Sequence, residues 1–251
     1  LMVCGYFKYQ WKVKVDLPIF TQKSIGVYDS IKVVGISDLH LGYAIGDNEL
    51  KRWVEKINAE QADIILIAGD LIDNSVRPLN ANEKIVEYLN ALQAKKGVYM
   101  CFGNHEYLSG ASESMDFLKK TNIKVLRDEY VEIDSTLYVV GRDDRSNLRR
   151  KPLKDLVSTL DKNKPIILLD HQPYNLNETE QNGIDIQFSG HTHQGQVWPI
   201  SLITKSLYEI DHGLIKKGDA NVYVSSGIGI WGGKFRIGTQ SEYVVFNLKK
   251  R

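Results

Sequence analysis

Five clusters of acidic, amide and imidazole side chains occur along the chain, and each follows a short apolar run. The clusters are Asp38-Leu39-His40, Gly69-Asp70, Gly103-Asn104-His105-Glu106, His171 and Gly190-His191-Thr192-His193. They contain five of the six histidines. Nitrogen and oxygen donors without thiolate favour zinc, manganese or iron over a structural zinc site of the cysteine type. The pattern therefore predicts a metal site that uses no cysteine.

Each cluster carries little weight alone, because a solvated loop often contains an Asp-x-His pair or a single histidine. Gly-Asn-His-Glu is stronger, since three adjacent polar groups at a strand end need a partner or solvent. Gly-His-x-His is intermediate, because alternate residues of an extended backbone face the same side. The occurrence of all five clusters, each after an apolar run, favours one shared site.

The apolar runs predict buried strands that alternate with helices. The predicted strands are Ile31 to Ile36, Ala62 to Ala68, Val98 to Phe102, Ile166 to Leu169 and Ile184 to Phe188. Helical spacing follows a cap at Asp47, recurs around Ile85 and Leu89, and covers Ser112 to Lys120. Such alternation predicts β-α-β units. Because ligands bind at the carboxyl ends of the strands in an open α/β sheet, the five clusters are expected to converge there.

Other segments position or flank this predicted site. Glycines Gly69, Gly103 and Gly190 are expected to let the chain turn sharply after the strands. Val125 to Val140 predicts a hairpin with a turn at Asp134-Ser135. The next loop carries Arg142, Arg145, Arg149 and Arg150, interpreted as a solvated charge run with phosphate or head-group binding as the alternative. Late strands are predicted at Val222 to Ser225 and Tyr243 to Leu248.

Composition limits the class of protein. The 251 residues suit a single domain at 30–251 preceded by an N-terminal extension at 1–29. The net charge of +1 gives no bulk attraction to nucleic acid or anionic lipid. Two cysteines, Cys4 and Cys101, cannot form a disulfide framework, and Cys101 is expected in the core. The first residues have two readings: the last turns of a membrane segment, or a strand leading into Trp11 and Val13.

The order of the five clusters resembles the signature of the calcineurin-like metallophosphoesterases, and the resemblance covers residues 30 to 250. The bacterial YkuE/YaeI-like phosphoesterases are the most similar branch. Their usual Gly-His-Thr-His-Gly-Gly-Gln is similar to residues 190–196, with Gln194 in place of a glycine, which puts the local backbone angle in question. Residues 224–229 and Arg236-Ile237-Gly238 also resemble that branch.

The resemblance implies a fold, a cofactor and roles for the clustered residues. The fold would be an α/β four-layer α/β/β/α sandwich of two mixed β-sheets flanked by helices. Two divalent ions (manganese, zinc or iron) would be held by Asp38, His40 and His193 and by Asn104, His171 and His191, with Asp70 bridging. His105, together with Asn104, would act on the phosphate. Asp73 and Glu106 would lie behind the ligands and orient them, although Asp73 is equally interpreted as a turn cap.

These roles imply hydrolysis of a phosphate mono- or diester. Two cations about 3.5–4 Å apart can share a hydroxide and clamp a phosphoryl group for in-line attack. A histidine suits the His105 position, because an imidazole pKa of about 6.5 allows proton donation near neutral pH.

The alternatives are a protein-binding scaffold and a nuclease. A scaffold would be expected to have lost ligands, and every ligand position is filled here. A nuclease would be expected to carry a basic stripe, which the sequence lacks. Asn74 stands where protein Ser/Thr phosphatases of the superfamily have arginine, which argues against a phosphoprotein substrate.

The resemblance also suggests a membrane-linked substrate, such as a lipid head group, and attachment to a bacterial cell membrane through an upstream segment. A soluble cytoplasmic protein is the alternative. The aromatic residues Trp198, Tyr208, Trp231 and Phe235 are compatible with an interface, but core packing is the favoured interpretation. His212 falls in no motif and is expected to be a surface or structural residue.

Overall fold

The computed structural model describes all residues, 1–251, in twelve strands, nine α-helices and one 3-10 turn. The strands are β1 (Lys12–Thr21), β2 (Ser30–Ile36), β3 (Ile64–Ala68), β4 (Val98–Cys101), β5 (Lys124–Val125), β6 (Glu129–Ile133), β7 (Leu137–Gly141), β8 (Ile166–Leu169), β9 (Ile186–Ser189), β10 (Gly213–Lys217), β11 (Ala220–Val224) and β12 (Ser241–Lys250). The helices are α1 (Met2–Gln10), α2 (Asp47–Asn58), α3 (Arg77–Asn80), α4 (Glu83–Asn90), α5 (Asn104–Leu108), α6 (Ala111–Leu118), α7 (Leu153–Leu156), α8 (Asn177–Gln181) and α9 (Ile200–Leu207), and the 3-10 turn is His193–Gly195.

The strands form two six-stranded mixed sheets. The first has the order β1-β12-β2-β3-β4-β5, and the second has the order β10-β11-β9-β8-β7-β6. In the first sheet β2, β3, β4 and β5 are parallel, and β12 runs antiparallel to β2. In the second, β7, β8, β9 and β11 are parallel, and the outer strands β6 and β10 are antiparallel to their neighbours. The carboxyl ends of the parallel strands in each sheet therefore share one edge.

Alternation along the strands produces three apolar layers. In β3, Ile65 and Ile67 pack outward with Trp53 of α2, whereas Leu66 packs inward with Phe188 of the second sheet. A third cluster covers the outer face of the second sheet with α7. Because side chains alternate across a strand, apolar runs without polar residues predict strands covered on both faces. The predicted α/β/β/α sandwich of two mixed sheets is confirmed.

Most predicted elements lie within a few residues of the observed ones. The strand Ile166–Leu169 and the hairpin turning at Asp134 are present. The predicted cap at Asp47 is wrong: Gly46 is the N-cap, and Asp47 is the first helical residue. There its carboxylate stabilises the positive end of the helix dipole.

Residues Met2–Gln10 form a helix rather than the strand that one reading predicted. In α1 only Gly5 and Tyr9 are buried, and the Arg236 N–H donates to the Gly5 carbonyl at 2.9 Å. The strand follows as β1, which pairs in parallel with β12 over its whole length. None of the nine helices combines the length and the hydropathy that a bilayer crossing needs.

Candidate metal centre

All five polar clusters lie at the same edge of the two sheets. The loops after β2, β3 and β4 come from the first sheet, and those after β8 and β9 come from the second. Five of the seven predicted metal ligands have left-handed backbone conformations, with φ of 49° to 72°; they are Asp38, His40, Asp70, His191 and His193. Non-glycine residues rarely adopt this region, and such strain concentrates at functional sites.

Asp38, His40 and His193 form one group of donor atoms. The Nε2 atoms of His40 and His193 are 3.0 Å apart, and His193 Nε2 lies 3.4 Å from Asp38 Oδ1. All three side chains are buried. Their ligand atoms lie within 4.8 Å of one another, as they would around a single ion.

Asp70, Asn104, His171 and His191 form a second group. His171 Nε2 is 3.1 Å from Asp70 Oδ2 and 3.2 Å from Asn104 Oδ1, and His191 Nδ1 is 2.8 Å from the same amide oxygen. The other ring nitrogen of His171, Nδ1, lies 2.7 Å from the Ala68 carbonyl. That contact fixes the ring so that Nε2 faces the group, the usual arrangement of a metal-binding histidine.

Asp70 connects the two groups. Its Oδ2 atom is 3.1 Å from His171 Nε2 in the second group and 3.8 Å from His40 Nε2 in the first. Its other oxygen, Oδ1, accepts the backbone N–H of His105 at 2.9 Å. A carboxylate in this position can present an oxygen to both groups, which no single imidazole nitrogen can do.

The pKa values follow from burial and from the neighbouring charges. Burial raises the pKa of Asp38, whereas for Asp70 the nearby His171 and His40 outweigh burial and hold the pKa well below its usual range. Burial, and then the charge of His171, lower the pKa of His191 to about 4. Burial would lower the pKa of His171 as well, but Asp70 raises it well above the usual value. The carboxylate of Asp70 is therefore ionised, and the imidazoles divide into two kinds: the pKa is raised at His40 and His171 and lowered at His191 and His193.

The donor set fits two cations. His40 Nδ1, His193 Nδ1 and Asp73 Oδ1 are buried without a hydrogen-bond partner, and two imidazole Nε2 atoms face each other at 3.0 Å. Buried polar atoms are normally paired, and facing nitrogens need a proton or a cation between them. Imidazole, carboxylate and amide donors without sulfur suit zinc, manganese or iron.

His105 lies beside both groups, and its ring is positioned by a contact with the backbone of Asp73. Its Nδ1 atom is 2.7 Å from the Asp73 carbonyl, and its ring packs edge-on against His40 with centroids 4.5 Å apart. Its donor atoms also lie within reach of His40 and Asp70, so distance alone would allow it to bind an ion. Its prediction as a group that acts on the phosphate stays a prediction.

Asp73 and Glu106 lie behind the predicted ligands. The Asp73 Oδ1 atom is 3.4 Å from His40 Nδ1 without a hydrogen bond to it, so its role as an orienting partner or a turn cap stays a prediction. Glu106 is completely buried and accepts the backbone N–H groups of Asp70, Ile72 and Gly103 at 2.7 to 3.0 Å. Burial, and then the charge of Asp70, raise the pKa of Glu106 to about 7. Glu106 thus ties the loop after β3 to the loop after β4.

The three predicted turn glycines act in two ways. Gly69 has φ of +74° and provides the expected sharp turn. Gly103 and Gly190 do not adopt left-handed angles, so the reason given for them from sequence is wrong. A Cβ atom at Gly103 would lie 2.1 Å from Asp70 Oδ1, and one at Gly190 would lie 2.3 Å from Asp38 Oδ2. These two glycines leave room for the carboxylates.

The backbone angle questioned at Gln194 is left-handed, with φ of 53° and ψ of 32°. The glycine-type conformation is therefore retained with a glutamine in place.

The sequence missed the role of Arg236. This arginine is fully buried and donates to the carbonyls of His193, Gly227 and Gly229 at 2.8 to 3.3 Å. It ties the loop of His193 to the glycine-rich segment after β11. The available signal was the resemblance of Arg236-Ile237-Gly238 to the bacterial branch, which gave the arginine no role.

A cavity of about 430 Å³ opens from the site. Part of its lining consists of Asp70, Asn104, His105, His191 and His193. The rest is mostly apolar or glycine, including Val197, Ile200, Trp231 and Phe235. A phosphate at the donor groups would have the remainder of its ester beside an apolar surface.

The arginine loop is not simply a solvated charge run. Arg142 is buried and pairs with Asp170 at 3.0 Å, and Arg150 pairs with the same carboxylate at 3.1 Å. Arg145 is exposed and lies over the Tyr174 ring, with 4.5 Å to its centroid. Since Asp170 precedes the predicted ligand His171, two of the four arginines stabilise the base of a ligand loop.

The core-packing interpretation of the aromatic residues is wrong for two of them. Trp198 is 62% exposed and Trp231 is 60% exposed, whereas Tyr208 and Phe235 are half-buried.

His212 has the structural role that was expected. Its Nε2 atom pairs with Glu242 at 3.0 Å. Cys101 is buried and Cys4 is exposed, and both are free thiols.

Comparison with known proteins gives one family. The profile of the calcineurin-like phosphoesterase family matches residues 31–195. An uncharacterized metallophosphoesterase of Campylobacter jejuni is 34% identical over 225 residues, which cover 87% of this chain and 59% of that protein. A transmembrane protein with metallophosphoesterase domain from Danio rerio is 30% identical, with coverage of 94% and 57%. The chain thus spans about three fifths of the length of these relatives.

The expected bacterial branch is also found. YkuE of Bacillus subtilis, an uncharacterized metallophosphoesterase, is 27% identical over 98% of this chain and 89% of its own length. Among solved structures, the NAD nucleotidase of Haemophilus influenzae has a TM-score of 0.56 at 17% identity, covering 80% of this chain and 45% of that one. A 5'-nucleotidase precursor of Thermus thermophilus has a TM-score of 0.54 at 15% identity, with coverage of 88% and 54%. These structural similarities show a common fold.

Proposed function

Because the chain belongs to the calcineurin-like phosphoesterase family, we propose that it is a dinuclear metal-dependent hydrolase of phosphate mono- or diesters. The observation that carries the proposal is the convergence of seven side chains from five loops into two donor groups that share Asp70. A protein-binding scaffold on the same fold would not need to keep these buried, partly unpaired donors. Five of these residues have strained backbone conformations, which lower the stability of the fold. Such strain is typical of residues that are kept for function.

In this proposal Asp38, His40 and His193 hold one cation, Asn104, His171 and His191 hold the other, and Asp70 serves both. When bound, two such cations of manganese, zinc or iron supply a hydroxide for in-line attack and neutralise charge on the phosphoryl group. Asn104 adds a neutral oxygen, so that the ligand set repels an anionic substrate less than a further carboxylate would.

His105 donates a proton to the leaving oxygen. The contact between its Nδ1 atom and the Asp73 carbonyl fixes the ring and leaves Nε2 as the other nitrogen, and His105 is one of the residues that line the cavity. The carbonyl requires the proton on Nδ1 in the neutral ring, so Nε2 carries the transferred proton only in the imidazolium form. The group therefore acts as an acid when protonated and as a hydrogen-bond acceptor afterwards.

We further propose that the ester carries an apolar group from a lipid or the cell envelope, and that the protein acts at the bacterial membrane. The apolar lining of the cavity supports this substrate class. Some relatives carry the word transmembrane in their names, which is compatible with attachment of the whole protein to a membrane.

Turnover of soluble aryl esters tests the hydrolase proposal. Purified protein is stripped with a chelator, reloaded with manganese, zinc or iron, and assayed with p-nitrophenyl phosphate and bis-p-nitrophenyl phosphate. Metal-dependent release of nitrophenol from either ester is expected, and the preferred ester separates a phosphatase from a phosphodiesterase. Absence of turnover by protein that has bound two ions per chain would favour the scaffold.

A further inference from the structure

An exposed apolar surface adjoins the cavity. Helix α9 has no buried residue, although half of its eight residues are large and apolar. Two exposed tryptophans extend this surface. The apolar rim consists of Trp198, Ile200, Leu202, Ile203, Leu207 and Trp231, each between 51% and 66% exposed. Large apolar patches of this kind on a protein surface mark interaction sites.

The rim is one continuous surface built from two segments of the chain. The Trp231 N–H donates to Gln196 Oε1 at 3.0 Å, and Gln196 Nε2 donates to the Trp231 carbonyl at 2.7 Å. The Trp198 N–H donates to the Ile237 carbonyl at 2.8 Å, and α9 begins two residues after Trp198. These bonds hold both tryptophans against neighbouring segments rather than on loose loops.

Helix α1 lies against the same segment and extends the apolar surface. Its Gly5 approaches Phe235 and Ile237 so closely that a Cβ atom there would lie 3.2 Å from each. On its outer side Met2, Val3 and Phe7 are 61% to 70% exposed. Because β1 runs antiparallel to β2, the start of β1 and the preceding helix lie at the edge where the candidate metal centre is.

Two rim residues also belong to the cavity. Ile200 and Trp231 line it, and both are more than half exposed on the outside. An apolar group resting on the rim would therefore be continuous with an apolar group inside the cavity.

The segments that form this surface contain no acidic residue. No Asp or Glu occurs in α1, in residues 194–208 or in residues 226–238, although the chain has 31 acidic residues. Lys8 and Lys205 lie in these segments, are exposed, and have no carboxylate within ion-pair distance. The carboxylates that border these segments are already engaged: Glu49 pairs with Lys234, Glu209 pairs with Lys217, and Asp211 accepts from the Thr204 hydroxyl. Lys8 and Lys205 are left as unpaired positive charge, which is complementary to anionic lipid head groups.

We propose that the apolar rim docks on an anionic lipid bilayer and places the mouth of the cavity at the membrane surface. Ile203 and Leu207 enter the boundary between head groups and acyl chains, and Trp198 and Trp231 lie at head-group level, where tryptophan is enriched. The docking surface is independent of metal and substrate. Its consequence, that an ester is taken directly from the bilayer, rests on the proposed function.

A bilayer fits this surface better than a second copy of the chain. A symmetric dimer through the rim would bring Lys205 close to its equivalent, while the carboxylates that follow α9, Glu209 and Asp211, are already bonded to Lys217 and Thr204. A bilayer instead supplies both an apolar interior and negative charge, which the rim and the two lysines match.

Vesicle flotation of the full chain tests the proposal without substrate. Protein is mixed with phosphatidylcholine vesicles with and without phosphatidylglycerol, and bound protein is measured along with tryptophan emission. Binding to the anionic vesicles with a blue shift is expected, weaker at high salt. The double variant Ile203→Gln/Leu207→Gln should lower vesicle binding by about tenfold or more, since two buried aliphatic groups are lost.

A matched control changes two equally apolar, exposed residues at the opposite edge of the first sheet. Phe20→Gln/Val27→Gln removes side chains that are 51% and 94% exposed, and vesicle binding should stay at the wild-type level. Both double variants should hydrolyse a soluble aryl phosphate like the wild type, because none of the four residues lines the cavity.

Three results would overturn the proposal: no binding of the wild type to anionic vesicles, equal binding by the rim variant, or a stable dimer that buries the tryptophans in the absence of vesicles. Since flotation requires neither turnover nor substrate, failure of hydrolysis leaves this test unaffected, and failure of docking leaves the hydrolase proposal standing.

Discussion

Asp70 is the residue on which the dinuclear proposal depends most. Asp70→Asn keeps the size of the side chain but removes its charge, so we expect bound metal to fall from two ions per chain to one or none. Turnover should fall by about 100-fold or more, because metal ions supply several kcal/mol of the catalytic effect in such sites. Metal analysis of the purified variant and its aryl phosphate turnover measure both effects.

Asp219→Asn is the matched control for Asp70→Asn. Asp219 is an exposed carboxylate in the turn between β10 and β11, and its substitution should leave both quantities unchanged. Two tightly bound ions with normal turnover in Asp70→Asn would show that the carboxylate does not serve both groups.

Substitution of His105 distinguishes a proton donor from a metal ligand. His105→Ala should retain two metal ions per chain, because the backbone N–H that Asp70 accepts is kept. Turnover should fall by about 10²- to 10⁴-fold, the usual contribution of a positioned proton donor. Esters whose leaving groups need no proton should be affected least. Loss of one ion from the variant would instead identify His105 as a ligand.

His212 gives a pH-dependent contribution to stability away from the metal groups. Burial lowers its pKa, but the hydrogen bond to Glu242 outweighs burial and raises the pKa above the ordinary value. The folded state therefore holds this proton more tightly than the unfolded state, so the stabilisation is complete below about pH 6.5 and is lost as pH rises through the folded pKa.

Urea unfolding of the wild type and His212→Gln measures this contribution. The difference in the free energy of unfolding should be about 1 kcal/mol at pH 5.5 and smaller at pH 8.5. Glu242 also accepts from Tyr223 and from the Ser226 N–H, so the variant does not leave a buried carboxylate without partners. A difference that grows with pH would contradict the assignment.

The sequence predicted which residues converge at this edge, but not the backbone conformations that hold them. Polar residues directly after apolar runs are a local signal, because strand ends are where loops begin. The left-handed angles of Asp38 and His191 have no such signal, since nothing in their side chains requires them. The hydrogen bond of Arg236 to the His193 carbonyl joins residues that are 43 positions apart, so it also could not be predicted from a local pattern.

At the scale of elements, the approach of the β3 and β4 loops sets the position of Asp70. Gly103→Ala would place a methyl group 2.1 Å from Asp70 Oδ1 and 2.7 Å from its backbone nitrogen. The loops must then separate, which should cost about 2 kcal/mol or more of unfolding free energy and weaken metal binding. Denaturation midpoints and metal content report the two effects.

Gly46→Ala is the control for Gly103→Ala. Gly46 has φ of −115°, and a Cβ atom added there would have no neighbour within 4 Å, so the same substitution meets open space. Similar losses in both variants would show that the effect of Gly103→Ala comes from the removal of glycine rather than from the contact with Asp70.

Elements with a strong local pattern were predicted well, and those formed by tertiary contacts were not. Ile166–Leu169 is a run of four aliphatic residues and matches its strand. Helix α1 has an apolar sequence that also suits a strand. The residues it packs against, 235–237, are distant in the sequence, so no local pattern indicates the helix. Trp198 was expected in the core because aromatic residues usually are buried, but it is 62% exposed and lies just before α9, a helix with no buried residue.

At the scale of the molecule, the two sheets enclose a common core and bring their strand ends together. Phe188 of the second sheet packs against Phe246 of the first, with ring centroids 5.5 Å apart. Each of the two donor groups takes residues from loops of both sheets. The distances between their atoms therefore depend on how the two sheets pack against each other. The layer architecture was predictable through the resemblance to a known family, whereas the pairing of β1 with β12 joins residues more than 200 positions apart and has no local signal.

Residues 1–29 were expected to be an extension to a domain at 30–251, and removing them tests that boundary. The segment contributes β1 and the buried side chains of Tyr9, Ile19 and Ile25. Its deletion would expose the edge of β12, which pairs with β1 over ten residues, together with part of two apolar cores. Exposed strand edges with apolar faces promote aggregation. We expect the 30–251 fragment to be insoluble or to lose cooperative unfolding.

Deletion of residues 1–4 alone is the control, because all four are exposed, and it should leave the unfolding midpoint unchanged. Circular dichroism and gel filtration distinguish the two truncations. A soluble 30–251 fragment with a cooperative transition and two bound metal ions would establish the domain boundary at residue 30 that the sequence predicted. The sheet would then be stable without its outer strand.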